Sequence, residues 1–425
     1  MLRYWAKGVA AVMLLGVIGS TALADTVREL EPSTEPIHIR VLFYTQPAHE
    51  AVVSWTTTAE GEDHRLYVDT QPREGDLEAY QWSFEPDRSV PYSLRDNEAA
   101  AGMDSWGHSV HLSDLEPATR YYLTVVSDGD QSDEYYFKTA PNDGRPVELL
   151  LVGDSRVGGA RTHENNNRRR VNALMRDLLE ERPEIVAMAH GADYTNRAFW
   201  SQLYFWLNDH HEKTTTRDGR LLPIIPSRGN HDMDVGFEEM FWWPDRENDY
   251  YYTTQLSGDV AFITLNSEIS IGGDQGAWLE EELPKLRPHN RWIAGQWHRP
   301  AYPSVRDFDH GRTRAIRETW VSLFERYGLD LGYEAHDHAL KRTHPIYGGE
   351  IDVERGIVYI GDGGGGVAQR QPQSDRWYLK VTGRHHHAHL LRFTDEKLEG
   401  VALDFDHETV DQFTLIQDRR DWADE

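Results

Sequence analysis

The stretch Val147-Glu148-Leu149-Leu150-Leu151-Val152-Gly153-Asp154 decides the fold class of this chain. An apolar run this short, stopped abruptly by Gly-Asp, reads as a buried strand rather than as part of a helix. The residues after it repeat the theme. A helical period runs from Asn167 to Glu181, a second apolar run from Ile185 to Ala189, and a second helix lies around Phe199 to Asn208. Apolar runs recur at Pro223 to Pro226, Val260 to Asn266, Trp292 to Gln296, Leu329 to Tyr333 and Ile357 to Gly361, with helical stretches such as Gln275 to Leu286 and Arg314 to Tyr327 between them. Strands that alternate with helices imply βαβ units and a largely buried sheet. In such sheets ligands gather beyond the carboxyl ends of the strands.

Upstream the pattern changes. From Glu35 to about Ala140 the chain shows only short β-rich runs: Ile37 to Tyr44, Ala51 to Thr57, Arg65 to Thr70, His108 to Leu112, Arg120 to Ser127 and Glu134 to Thr139. Gly, Asp, Glu and Pro clusters part them, which predicts an all-β sandwich over residues 35–140. The turn-rich Pro141-Asn142-Asp143-Gly144 then leads into an α/β domain over 147–416. A length of 425 residues suits two domains, and 39% hydrophobic residues with 14 Trp are enough for real cores.

The N-terminus pairs a basic start (Arg3, Lys7) with an apolar run from Val9 to Ile18 and the small-residue ending Thr21-Ala22-Leu23-Ala24. This reads as a signal peptide over 1–24 cleaved after Ala-x-Ala, and hence as a secreted or periplasmic protein; the competing reading is a membrane anchor, for which the run is short. No later segment is apolar enough to span a bilayer. The chain has no Cys, so thiol catalysis, thiolate metal sites and disulfide staples are excluded. Its 71 acidic against 44 basic residues give a net charge of −27, which repels nucleic-acid backbones and anionic membranes.

Five expected strand ends finish in side chains able to hold metal: Gly153-Asp154, Asp193-Tyr194, Gly229-Asn230-His231-Asp232, Trp297-His298-Arg299-Pro300 and His336-Asp337-His338. Each alone is commonly a cap or a satisfied surface group. In this order the five resemble the motif series of calcineurin-type metallophosphoesterases, specifically the purple acid phosphatase-like branch, in which a small β-sandwich precedes the catalytic domain. The stretch Leu115-Glu116-Pro117-Ala118-Thr119-Arg120-Tyr121-Tyr122 likewise resembles the corner of fibronectin type III-like domains, where a Tyr anchors a turn. The resemblance implies a fibronectin III-like sandwich followed by a four-layer αββα sandwich, and hydrolysis of phosphate monoesters in a small phosphorylated substrate. The rival readings are a phosphodiesterase with the same metals and a non-catalytic phosphate- or glycan-binding protein.

Two cations about 3.5–4 Å apart repel each other, so their site needs a bridging carboxylate and separate ligands for each ion. Asp193 would bridge, Asp154 and His338 would complete one site, and Asn230, His298 and His336 would hold the second ion. Residues two apart in an extended segment share a face, so His336 and His338 are expected to enter one pocket with Asp337 turned away. Oxygen and nitrogen ligands without sulfur suit Zn, Mn or Fe. His231, beside a ligand, is placed to protonate a leaving alkoxide, as its family counterpart does; the alternative is a His that fixes the Asn230 turn. Arg156 would reach a phosphate oxygen or else pair with a surface carboxylate, and Arg299 leans towards a structural role.

The sequence also departs from the family. Purple acid phosphatases carry a Tyr three residues after the bridging Asp, where this chain has Asn196, and related phosphodiesterases carry a His at the position of Arg156. Ala192 and Ala335 replace the usual Gly, which is tolerable only if the backbone there avoids positive φ. His190-Gly191-Ala192-Asp193-Tyr194 admits two registers, one with Asp193 as bridge and one with Tyr194 at the phenolate position. Gly361 to Gly366 is expected to form a flexible cleft wall, His385 to His387 to lie near the last strands without a third metal, and Tyr250 to Tyr252 to pair in the sheet.

Overall fold

The computed structural model describes residues 29–156, 167–244, 246–416 and 419. The expected signal peptide at Met1–Ala24 lies outside the described residues.

Val147–Val152 is a strand buried along its whole length, apolar except for Glu148, whose carboxylate pairs with Arg182 at 2.9 Å and Arg392 at 3.1 Å. It pairs in parallel with Ile185–His190, which pairs in parallel with Ile224–Pro226. The helix Asn167–Glu181 connects the first two, and its Val171, Leu174, Met175 and Leu178 form one buried stripe at helical spacing. A second helix, Trp200–Thr214, follows. Antiparallel strands His387–Phe393, Leu398–Asp404 and Thr409–Leu415 extend the sheet on its other side.

The N-terminal segment is a sandwich of two antiparallel layers. One contains His64–Asp69, Trp82–Phe84, Arg120–Ser127, Asp130–Gln131 and Tyr135–Lys138. The other contains Ile37–Leu42, Ala51–Thr57, Trp106–Leu112 and Arg88–Pro91. At the corner before Arg120–Ser127 the Tyr121 hydroxyl accepts the Glu116 amide at 2.7 Å. The second layer is not separate from the α/β part: Leu42 pairs in parallel with Ile224, so a single ten-stranded sheet crosses the turn at 141–144.

A seven-stranded sheet faces this one. Its parallel centre is Val260–Thr264, Trp292–Trp297, Leu331–Glu334 and Val358–Gly361. The two-residue period of each strand divides its side chains between two cores. Phe262, Ala294 and Ile360 join the core between the sheets, whereas Ile263, Ile293 and Tyr359 face a second core with Leu279, Leu283, Trp320 and Phe324 from the outer helices. Helices outside two facing sheets give the expected αββα layering. Of the Tyr250 to Tyr252 run only Tyr252 enters a strand; Tyr250 instead bonds the Phe241 carbonyl through its hydroxyl.

Candidate metal centre

The carboxyl ends of strands from both sheets converge. Asp154 follows Val147–Val152, Asp193 follows Ile185–His190, Asn230 follows Ile224–Pro226, His298 follows Trp292–Trp297, and His336 and His338 follow Leu331–Glu334. Four of these residues sit in the left-handed region: φ is 51° at Asp154, 56° at Asp193, 75° at His336 and 59° at His338. His336 and His338 therefore reach the pocket from a tight turn, not from the extended segment the sequence suggested. Asp337 does turn away, accepting the amides of Val305 at 2.6 Å and Arg306 at 3.1 Å. Ala192 corrects a second expectation, for it adopts φ 71° despite its methyl group. Such a conformation costs about 1–2 kcal/mol in a residue with a Cβ, and the packing around it must supply that. Ala335 has no such φ among the described residues.

Two groups of side chains gather their ligand atoms to within 4.8 Å of one another: Asp193, His298 and His336, and Asp154, Asp193 and His338. Asp193 belongs to both. Its Oδ1 lies 3.3 Å from His298 Nε2, and Asp154 Oδ1 lies 3.1 Å from His338 Nε2. His298 Nε2 also approaches Asn230 Oδ1 at 3.2 Å and His336 Nδ1 at 3.0 Å. The other ring nitrogen of His298, Nδ1, faces the Gly191 carbonyl at 3.0 Å. An Nδ1–H donated there leaves the Nε2 lone pair pointing into the centre, the usual orientation for a ligating imidazole.

The site's charges and unpaired atoms fit cations. Asp154 Oδ1 and Asp193 Oδ2 are buried, and neither accepts a hydrogen bond. A buried carboxylate oxygen that accepts no hydrogen bond is costly, and a bound cation removes that cost. Burial would drive the His298 imidazole towards neutrality, but Asp193 beside it, helped by Asp154, pushes its pKa up to about 10. Burial would raise the Asp193 carboxyl, yet the same pair holds it well below the ordinary carboxylate range. The carboxylates thus set up a field that stabilises positive charge at this spot. His336, by contrast, is kept neutral first by burial and then by the charge of its neighbours, which leaves one ring nitrogen with a lone pair to ligate.

The remaining expected residues line this centre. His231 Nδ1 lies 2.5 Å from the Asn196 carbonyl and its Nε2 lies 3.8 Å from Asp193 Oδ2; the side chain is 31% exposed. Arg156 donates through Nη1 to Asn196 Oδ1 at 2.9 Å, with Nη2 3.3 Å from His338 Nε2 and Nε 3.5 Å from Asp193 Oδ2. Arg156 and Asn196, the two positions at which the sequence departs from the expected His and Tyr, are thus bonded to each other. Arg299 is clamped by Glu268, through Nε at 2.8 Å and Nη2 at 3.0 Å, in keeping with its structural lean. Tyr194 points away from the centre into an aromatic cluster, its ring stacked on His190 at 4.0 Å and tilted at 50° against Phe241 at 4.6 Å.

Three supports go beyond what the sequence suggested. Asp232 holds no ligand position; its carboxylate accepts the amides of Asp193, Gly229 and Tyr194. Buried Lys341 joins Glu334 at 2.5 Å, the Tyr302 carbonyl at 2.7 Å and Asp362 at 3.4 Å, which fastens the loop after His298 to the strand before His336. The Gly361 to Gly366 run is buried rather than a loose wall, with the Gly365 amide on the Gly153 carbonyl at 2.8 Å. A Cβ on Gly363 would stand 2.2 Å from Asp154 Oδ2, so the repeated glycines were the available signal. The rings of His387 and His389 are buried in the strand His387–Phe393, and neither joins either group of candidate ligands.

Comparison with known proteins agrees with this geometry. The calcineurin-like phosphoesterase family profile matches residues 110–340, and that of the purple acid phosphatase N-terminal domain matches 36–139. The chain belongs to the calcineurin-like phosphoesterases. A protein of Mycobacterium tuberculosis is 26% identical over 438 residues, spanning 86% of this chain and 78% of its own length. Purple acid phosphatase 15 of Arabidopsis thaliana is 25% identical over 298 residues, 60% of this chain and 53% of its own length. The structure of a purple acid phosphatase from yellow lupin seeds superposes with a TM-score of 0.75 at 20% identity, covering 92% of this chain and 76% of that one, a likeness of fold. This phosphoesterase is therefore a metal-dependent hydrolase of phosphoric esters with a dinuclear metal centre. Among the described residues no helix is long and apolar enough to cross a membrane.

Proposed function

We propose that this phosphoesterase hydrolyses phosphate monoesters of small molecules, outside the cytoplasm. The membership of Asp193 in both ligand groups is the observation that carries the reading. Asp193 would be shared by two ions, with Asp154 and His338 completing one site and Asn230, His298 and His336 the other; Zn, Mn and Fe suit these donors. Bound there, the ions supply charge neutralisation for the phosphoryl group and an acidified water.

The protein's own groups do the rest. A His231 Nδ1–H held on the Asn196 carbonyl fixes the ring, so a proton carried on Nε2 faces the site and passes to the departing alkoxide. Arg156 keeps a buried Nε without a hydrogen bond, and its planar fork orients the equatorial oxygens of the phosphoryl group. A monoester dianion gains more from this added guanidinium than a singly charged diester, which favours monoesters. The placement outside the cytoplasm rests on the sequence of Met1 to Ala24 alone.

Turnover of p-nitrophenyl phosphate and bis-p-nitrophenyl phosphate by metal-loaded protein tests the reading. The monoester should give the higher kcat/KM by about tenfold or more. A preference for the diester would replace the assignment with a phosphodiesterase, and no turnover of either by protein holding both metals would make it a binding protein.

A further inference from the structure

A second crevice, of about 530 Å³, opens between the N-terminal sandwich and the phosphoesterase part and contains none of the residues of the metal centre. Leu42, Tyr44, Glu50 and His111 form one wall, while Trp243, Tyr251, Trp278 and Glu282 contribute to the other. Junctions between such units are common places for small-molecule sites.

Its lining combines two features. The first is an aromatic corner: the Tyr251 and Trp278 rings lie 5.2 Å apart at 56°, and Trp243 stands nearby, stacked on Tyr44 at 4.9 Å. Trp278, Tyr251 and Trp243 line the crevice and are all partly exposed. The second is its charge. Glu50, Glu247 and Glu282 line the crevice, and among the described residues no Lys or Arg does. Acidic residues are abundant throughout this chain, so carboxylates alone would say little. Here they stand beside aromatic faces. Trp278 and Glu282 are four residues apart on the helix Gly273–Leu286 and so share one face of it. Glu282 is set in place by the Thr253 hydroxyl, which donates to Oε1 at 2.8 Å. Glu50 is likewise fixed by Thr45 at 2.6 Å, with His111 3.4 Å away. Angled aromatic faces attract a cation through their quadrupoles, and a fixed carboxylate neutralises it, whereas an anion would be repelled by both.

We propose that this crevice is a binding site for a small organic cation, its alkylammonium group seated in the Tyr251–Trp278 corner and countered by Glu282, with Glu247 and Glu50 adding to the negative field. The site is separate from the catalytic centre and does not depend on which phosphoric ester is hydrolysed.

Equilibrium dialysis of the metal-loaded full chain against choline, at constant ionic strength, tests this. The expected result is one choline bound per chain, with affinity reduced at least tenfold by Trp278→Ala and by Glu282→Gln, and unchanged in His231→Ala, which alters the catalytic centre while keeping both metals. Glu282→Gln is nearly isosteric and keeps the test usable should Trp278→Ala fail to fold. Uncharged 3,3-dimethylbutan-1-ol should bind at least tenfold more weakly than choline. The proposal is overturned if choline does not bind saturably, if the alcohol binds equally well, if choline binding disappears in His231→Ala, or if glucose binds the crevice in place of choline.

Discussion

Asp232 Oδ2 accepts the backbone N–H of Asp193 at 2.7 Å and that of Gly229 at 3.0 Å, so one buried carboxylate ties together the turns that carry Asp193 and Asn230. Burial and the neighbouring Asp193 push the Asp232 carboxyl well above its ordinary range, a cost accepted because three amides need an acceptor there. Asp232→Asn replaces one of the two acceptor oxygens by a donor facing an N–H. Unfolding in denaturant should show a loss of about 1–3 kcal/mol, with a parallel fall in bound metal. Unchanged stability and metal content would remove Asp232 from this positioning role.

Tyr194 bears on the register at residues 190–194. Its ring is enclosed by His190, Trp206, Phe237 and Phe241, and burial pushes its phenol well above the usual range, against ionisation. Iron-loaded protein is expected to lack a tyrosinate-to-iron absorption band, and Tyr194→Phe should change stability by less than about 1 kcal/mol. A purple protein that loses its colour in Tyr194→Phe would restore the alternative register.

Much of this architecture was legible because it is local. Strands Ala51–Thr57, Arg120–Ser127 and Val147–Val152 and the helix Asn167–Glu181 coincide with their periodic stretches, since one pattern of burial runs through each. Leu340–Thr343 was missed because Leu-Lys-Arg-Thr reads as surface, and only distant partners make it a buried strand: Glu334 and Asp362 for Lys341, Asp411 for Arg342. The candidate ligands could be named one by one from strand ends. That the sandwich shares a sheet with the α/β part could not, because the Leu42–Ile224 pairing joins residues far apart in the chain.

Lys341 gives a test of that hidden network. Lys341→Met leaves Glu334 and Asp362 facing each other in the interior without their cation. Breaking a buried pair this way costs about 3–5 kcal/mol, so the melting temperature should drop by many degrees. A drop of a degree or less would show that the network adds little.

His231 should separate binding from chemistry. His231→Ala is expected to keep both metals and to slow alkyl phosphates by about 10²-fold or more, while p-nitrophenyl phosphate, whose phenolate needs little protonation, falls far less. Equal losses on both substrates would leave His231 as the anchor of the Asn196 turn and nothing more.

Asp193 is the only residue common to both ligand groups, and the account stands on its being shared by two ions. Metal per chain, measured by plasma mass spectrometry on dialysed wild-type protein and on Asp193→Ala, tests this directly. The account predicts about two ions per chain in the wild type and loss of both in the variant, because each site loses its shared carboxylate and nothing then offsets the repulsion between the two ions. Two ions retained by Asp193→Ala, or one ion in the wild type, would contradict it.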